Sequence, residues 1–201
     1  MRAQILLVRG GAGVIGCALL AAAMWFYSLK PEVEAEVLDP IRSAGEVGKV
    51  ITNSEFKLRV DRVVVAGSLK QGPTGSTQPP VRTDGVFVVV SGRAMAQKKP
   101  VSLGTAVLET PDGYSYKKTQ RFSVYGGLGP SDFAPLLWGK FLFYFEIPKD
   151  RLAGARVVIS QSSLFVAPNA ATEVDLGIGK TRAQEMIRGA AQNYDLSGVR
   201  P

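Results

Sequence analysis

The sequence predicts a mostly β protein: an antiparallel β-sandwich, preceded by one transmembrane helix and followed by a short C-terminal helix. Three observations carry that expectation. Gly10 to Leu29 (GGAGVIGCALLAAAMWFYSL) is a run of twenty residues without a charge. From about residue 47 onward, apolar residues recur at every second position in seven or so short runs separated by turn residues. Helical spacing is absent from that region until residue 180.

The apolar run is read as a span. At about 1.5 Å per residue it reaches about 30 Å, one bilayer core. Trp25, Phe26 and Tyr27 sit at its C-terminal edge, where amphipathic rings favour the headgroup level. Arg2 and Arg9 lie on the N-terminal side with no acid, while Lys30 is followed by Glu32, Glu34, Glu36 and Asp39. The Lys/Arg asymmetry makes residues 1–9 a cytoplasmic stub and places residues 30–201 outside, a single-pass cell-membrane topology. A cleaved signal peptide fits less well, because Ala21-Ala22-Ala23 lies inside the apolar run rather than after it. Val14-Ile15-Gly16-Cys17 has the form of a lipobox, but an apolar stretch instead of a polar tether follows Cys17. Gly13, Cys17 and Ala21, spaced by four, offer a narrow face for helix pairing or self-association.

Beyond the span remain about 170 residues, enough for one domain with a core. The single Cys lies in the span, so the outer part has no disulfide, and the chain has no His at all. That removes the commonest general base and the commonest metal ligand. Residues 31–46 hold five acids and one base, and residues 47–201 hold twelve acids against twenty bases. The acidic segment, residues 30–46 with Pro31 and Pro40, is read as a solvated stalk and residues 47–179 as the sandwich.

The strands follow in order. Phe56, Leu58 and Val60 alternate with Lys57, Arg59 and Asp61. The apolar phase then shifts by one to Val63 and Val65, which predicts a bulge near Asp61-Arg62. Gly67 to Asp84, rich in Gly, Pro, Ser and Thr, reads as a long exposed loop. Val86 to Ala96 reads as a central strand, and Leu103 to Thr110 as another. Pro111-Asp112-Gly113 is a turn: proline presets φ and glycine accepts a positive one. Tyr114 to Val124 is polar enough for an exposed or edge strand, and Gly126 to Pro135 is a loop. Phe141, Phe143, Phe145 and Ile147 line one face of the clearest strand, with Lys140, Leu142, Tyr144 and Glu146 on the other. Ala155–Ser163 and Thr172–Leu176 supply the last two strands. Residues 180–201 form a helix and tail: Thr181 and Gln184 fit a capping box, and Ala183, Met186, Ile187, Ala190 and Ala191 follow at helical spacing. Such a helix needs a partner, and Leu142 and Tyr144 are the expected docking strip.

GKVITNSEFKLRVDRV, GVFVVVSGRA, LETPDGYSY, FLFYFEIPKD and VDLGI, in that order over residues 46–179, resemble the telokin-like, immunoglobulin-like domain of unknown function found on many bacterial envelope proteins. The D-G-x-x-Y turn falls on Asp112, Gly113 and Tyr116, and the F-x-x-P on Phe145 and Pro148. The resemblance implies a β-sandwich held outside the membrane by a span or a lipid. It implies no catalytic residues.

For chemistry, histidine-based nucleophiles are excluded by composition. Ser68 with Lys70, or Ser102 with Lys99, leaves a Ser–Lys hydrolase as a remote option. Glu109, Asp112 and Asp132 would bind calcium only if folding clusters them. Gly126–Pro130 and Gly177–Thr181 lack the strand-to-helix context or the upstream glycine of a phosphate loop. Lys98, Lys99, Lys117, Lys118 and Arg121 form one basic patch if their strands pair, attractive to anionic polymers or headgroups. No aromatics alternate with them as nucleic-acid stacking would need. The expectation is a non-catalytic, membrane-tethered interaction module without cofactor or metal, binding an envelope protein or anionic polymer. The alternative is an accessory subunit that assembles through its span.

Overall fold

The computed structural model describes residues 19–25, 40–70, 79–119, 121, 132–161 and 169–196. The chain divides into two compact units, Met1–Leu38 and Asp39–Pro201. In the first, residues 19–25 are helical, with Leu19, Leu20, Met24 and Trp25 exposed. Most of the expected span, Gly10–Leu29, including Gly13 and Cys17, lies outside the described residues. Among the described residues no helix is long and apolar enough to cross a membrane.

The second unit is a two-layer β structure, built because its strands alternate or run continuously apolar. One sheet has the order β1 (Ile41–Glu46), β11 (Ala170–Asp175), β10 (Arg156–Ser160), β6 (Thr105–Glu109), β7 (Ser115–Lys117). The other runs β12 (Tyr194–Asp195), β3 (Phe56–Lys70), β4 (Val81–Ala96), β9 (Gly139–Ile147), with β2 (Ile51–Thr52) also on β3. A short pair, β5 (Val101–Ser102) and β8 (Asp132–Phe133), stands beside them. Phe56, Leu58 and Val60 of β3, Val88 and Val90 of β4, and Phe141, Phe143 and Phe145 of β9 meet Leu108, Val157, Ile159 and Val174 from the facing sheet. That shared core makes the unit a β-sandwich. Gly92 lets the β9 aromatics in: a Cβ there would collide with the Phe141 ring and the Arg59 carbonyl oxygen. Asn53 adds a polar tie, its side-chain amide donating to the Thr172 hydroxyl at 3.2 Å while its Oδ1 accepts from the Glu55 and Phe56 amides.

Several expectations need correction. The ladders are mainly antiparallel, but β1 pairs with β11, and β12 with β3, in parallel. Residues 41–46, expected as the end of the stalk, are strand β1: backbone pairing to β11 recruits a segment whose own pattern is mostly exposed. The expected loop Gly67–Asp84 is too long at both ends, since β3 continues through Lys70 and β4 begins at Val81, with Ser68 opposite Arg82. The polar strand after the Pro111–Gly113 turn is only Ser115–Lys117 among the described residues. The bulge expected at Asp61-Arg62 is present, as a register shift between Val60 and Arg62, and a second falls between Ala66 and Ser68.

The C-terminal helix stops short of the expected Ala190 and Ala191, lacks the expected capping box at Thr181 and Gln184, and is placed differently. It spans Lys180–Arg188, begins at Gly179 without a side-chain cap, and ends at Gly189, whose amide donates to the Glu185 carbonyl. Ala183 is buried, and Met186 and Ile187 pack against the core between the sheets. The strip at Leu142 and Tyr144 is covered by the segment after the helix. Ala191, Tyr194 and Leu196 join Ala66, Leu69, Phe87, Val89, Leu142 and Tyr144 in a second apolar cluster on the outer face of the β3–β4–β9 sheet. The second bulge receives this tail. The Gly67 amide donates to the Ala191 carbonyl and the Ala191 amide to the Val65 carbonyl, both at 3.0 Å. The Asn193 amide donates to the buried Ser68 hydroxyl at 2.7 Å.

Candidate interaction surface

The outer face of the β3–β4–β9 sheet is chemically divided. Toward the tail it is apolar and covered. Toward the first bulge it is basic, because the residues between the core-facing positions are Lys57, Arg59, Arg93 and Lys140. Arg59 lies opposite Arg93, and Arg93 opposite Lys140, so three bases stand in one row across three strands. Like charges directly opposite one another are destabilising. Asp61, set beside them by the bulge, offsets part of this: Arg93 donates to both its oxygens, at 2.9 and 3.2 Å. That bidentate bond, then the charge of Asp61, holds the Arg93 guanidinium above its ordinary value. Arg59 Nε lies 3.0 Å from Asp61 Oδ1 but lacks the alignment of a hydrogen bond and is buried without another acceptor.

The five sequence-selected bases are not equivalent. Lys117 is exposed on β7, at the edge of its sheet. Lys118 donates to the Gly104 carbonyl at 2.7 Å and sits 6.0 Å from the centre of the Phe143 ring. Its backbone bridges to Phe145, and the Thr119 amide donates to the Tyr144 carbonyl, so the chain here links the edges of the two large sheets. Arg121 pairs with Glu146 at 2.7 Å. Lys98 and Lys99 occupy the exposed turn after β4. Ala94 of that strand pairs with Gly139, six residues along β9 from Phe145, or about 20 Å. The patch therefore falls into two parts, with Lys98 and Lys99 nearer to Arg93 and Lys140. Of the pairing face on the first unit, only Ala21 is described; it is helical and exposed.

A feature not singled out from the sequence lies beside Lys98 and Lys99. The Ala96 amide donates to the Ala134 carbonyl, and Ala96 bridges to Pro135. The next three residues are Leu136, Leu137 and Trp138, 88%, 67% and 39% exposed. Leu136 has φ 63°, a left-handed conformation that costs a leucine energy. Buried Phe133 and Phe141 anchor the segment on both sides.

The other candidate chemistries disperse. Glu109 pairs with Arg42 at 2.7 Å. Asp112 accepts from the Thr110 hydroxyl and lies 3.4 Å from Arg151, whose guanidinium stacks over the Tyr114 ring. Asp132 is on β8 opposite Ser102. Among the described residues no group of three or more acids, Cys or His is placed to hold a metal. Ser68 bonds the tail at Asn193. A groove of about 480 Å³ between the first bulge and the C-terminal helix is lined by Glu46, Asp61, Arg62, Asp175 and Arg182, a mixture of charges with no Ser, Thr, Cys or Lys in its lining.

Burial pushes the Tyr144 phenol above its ordinary value of 10.0. The folded state then holds that proton more tightly than the unfolded chain does. The contribution is fully present below the unfolded value and is lost as pH rises past it. Urea midpoints taken between about pH 8 and about pH 11 should fall on the alkaline side, and fall less in Tyr144→Phe. Equal alkaline losses in both proteins would show that the phenol is not held by the fold.

No family model matches the chain, and no curated protein matches it. Solved structures with similar folds include an uncharacterised β-sandwich protein from Clostridium difficile, at 15% identity and TM-score 0.41, over 67% of this chain and 95% of that one. A secreted protein from Mycobacterium tuberculosis, MPT63, is 11% identical with TM-score 0.45, over 68% of this chain and 97% of that one. The yjhA protein from Bacillus subtilis is 12% identical with TM-score 0.46, over 65% and 98%.

Proposed function

We propose that the chain is a non-catalytic, single-pass membrane protein of a bacterial envelope. In this reading its immunoglobulin-like sandwich is held outside the membrane and binds a protein or an anionic envelope polymer. The observation that carries this reading is the row Arg59–Arg93–Lys140, three bases side by side with Asp61 beside them. A ligand bearing several negative charges relieves that repulsion. Tethering is supported by the charge-free run Gly10–Leu29, and the direction of insertion by Arg2 and Arg9 on one side and the acidic segment on the other. The ordered segments resembling the telokin-like domain support the outside placement. The absence of His supports a role without acid–base chemistry or a cofactor.

The spacing of Gly13, Cys17 and Ala21 favours a second reading, an accessory subunit assembled through its span, with self-association as one form. Two measurements on the full chain test the topology and separate these readings. Protease added to spheroplasts should remove the residues beyond Lys30, and full protection overturns the topology. Replacing Gly10–Leu29 by an unrelated span should leave envelope partners bound if the sandwich binds them; their loss assigns binding to the native span.

A further inference from the structure

Leu136, Leu137 and Trp138 are large, consecutive and exposed, on a segment held at both ends by buried aromatics. Among the described residues nothing rewards that arrangement: apolar surface stays in water and a leucine is kept at positive φ. The surroundings are basic. Lys98 and Lys99 follow the strand that bridges to Pro135, and Lys140 and Arg93 stand as a cross-strand pair two residues beyond Trp138. Arg59 and Lys57 extend the row on β3. Among the described residues, the nearby acids are Asp61, engaged by Arg93, with Asp132 at the foot of the segment and half-buried Glu55.

We infer that this tip docks on the surface of an anionic lipid bilayer, with Leu136, Leu137 and Trp138 entering the headgroup region and the lysine–arginine collar meeting lipid phosphates. Two leucines beside a tryptophan suit the interface, where the indole takes the headgroup level. Each base close to an anionic leaflet adds attraction that fades within a Debye length. A short apolar prow with a basic rim needs only a soft, negative plane. The inference rests on the proposed tethering for its setting: only residues 30–40 separate the expected span from β1, a connector that extends to no more than about 40 Å.

The test uses the full chain with Trp25→Phe, which leaves Trp138 as the sole tryptophan. It is reconstituted into phosphatidylcholine vesicles with and without phosphatidylglycerol, both containing brominated acyl chains. The expected result is strong quenching and a blue shift of Trp138 in the anionic vesicles only, reversed by high salt. Combining Lys98→Ser with Lys99→Ser should weaken the docked state by on the order of tenfold. Leu136→Ser with Leu137→Ser should abolish the quenching without shifting the melting temperature, because both side chains are exposed. Equal quenching in neutral vesicles overturns the inference, as does Trp138 remaining water-accessible in anionic ones. Quenching that tracks protein density instead of lipid charge assigns the tip to a second copy and also overturns it. A response to soluble polyphosphate but not to anionic vesicles overturns lipid docking while leaving polymer binding intact. Failure of the chain to float with any vesicles is a separate result, and it removes the tether.

Discussion

Ending the chain at Gly189 is expected to cost on the order of 4 kcal/mol, a large part of the stability of a domain this size. The deleted segment contains Ala191, Tyr194 and Leu196, which cover Phe87, Val89, Leu142 and Tyr144. Full burial of one leucine alone contributes about 1.5–3 kcal/mol, and each backbone hydrogen bond about 0.5–1.5. The truncation also strips the partners of the Gly67 amide, the Val65 carbonyl and the Ser68 hydroxyl at the second bulge. The urea midpoint should drop sharply and Tyr144 should become accessible to quenchers. Leu196→Ala should reproduce about 2–4 kcal/mol of that loss. A truncated chain that melts like the full one, with Tyr144 still shielded, would show that the tail lies on the sheet without stabilising it.

Phe145→Ala is expected to cost about 3–5 kcal/mol. Its ring is fully buried between the sheets, on the central row of β9, with Val88 across the ladder. Removing it leaves a cavity that the surrounding β-branched side chains, stiff at χ1, fill poorly. Thermal unfolding reads the loss directly. Leu142→Ala, on the opposite face of the same strand, should also destabilise by more than 1 kcal/mol, because that face is buried as well. An unaffected melt in either variant would reverse the assignment of that face.

β9 shows what was legible from residue order. Its four inward positions are all apolar, so period two identifies the strand and its core face without further help. The first bulge was legible for the same reason, since a phase slip between Val60 and Val63 leaves few alternatives. β1 was not. Ile41–Glu46 reads IRSAGE, with Ile41 71% exposed, and its strand character comes from the ladder with β11 instead of from an apolar row of its own. The end of the helix was obscured because Ala190 and Ala191 continue the helical spacing past Gly189, where the backbone turns away. In the candidate surface, the row Arg59–Arg93–Lys140 joins residues up to 81 positions apart, and only the register of three strands aligns them. Leu136–Trp138 was missed for the opposite reason. Consecutive apolar residues next to a core strand are ordinarily inside, and no local pattern announces that these three stand out in water.

The two parallel seams carry a consequence for biogenesis. Antiparallel neighbours such as β6 and β7 meet soon after synthesis, but Ser68 and Asn193 are 125 residues apart, and Arg42 and Glu173 are 131. Bringing such distant segments together has a loop-closure cost that grows with separation, and pairings of this kind form late. A chain synthesised from its N-terminus therefore holds Phe87, Val89, Leu142 and Tyr144 without a lid until Leu196 has emerged. During that interval the nascent sheet has one sticky face, the kind of surface on which chaperones and neighbouring copies compete.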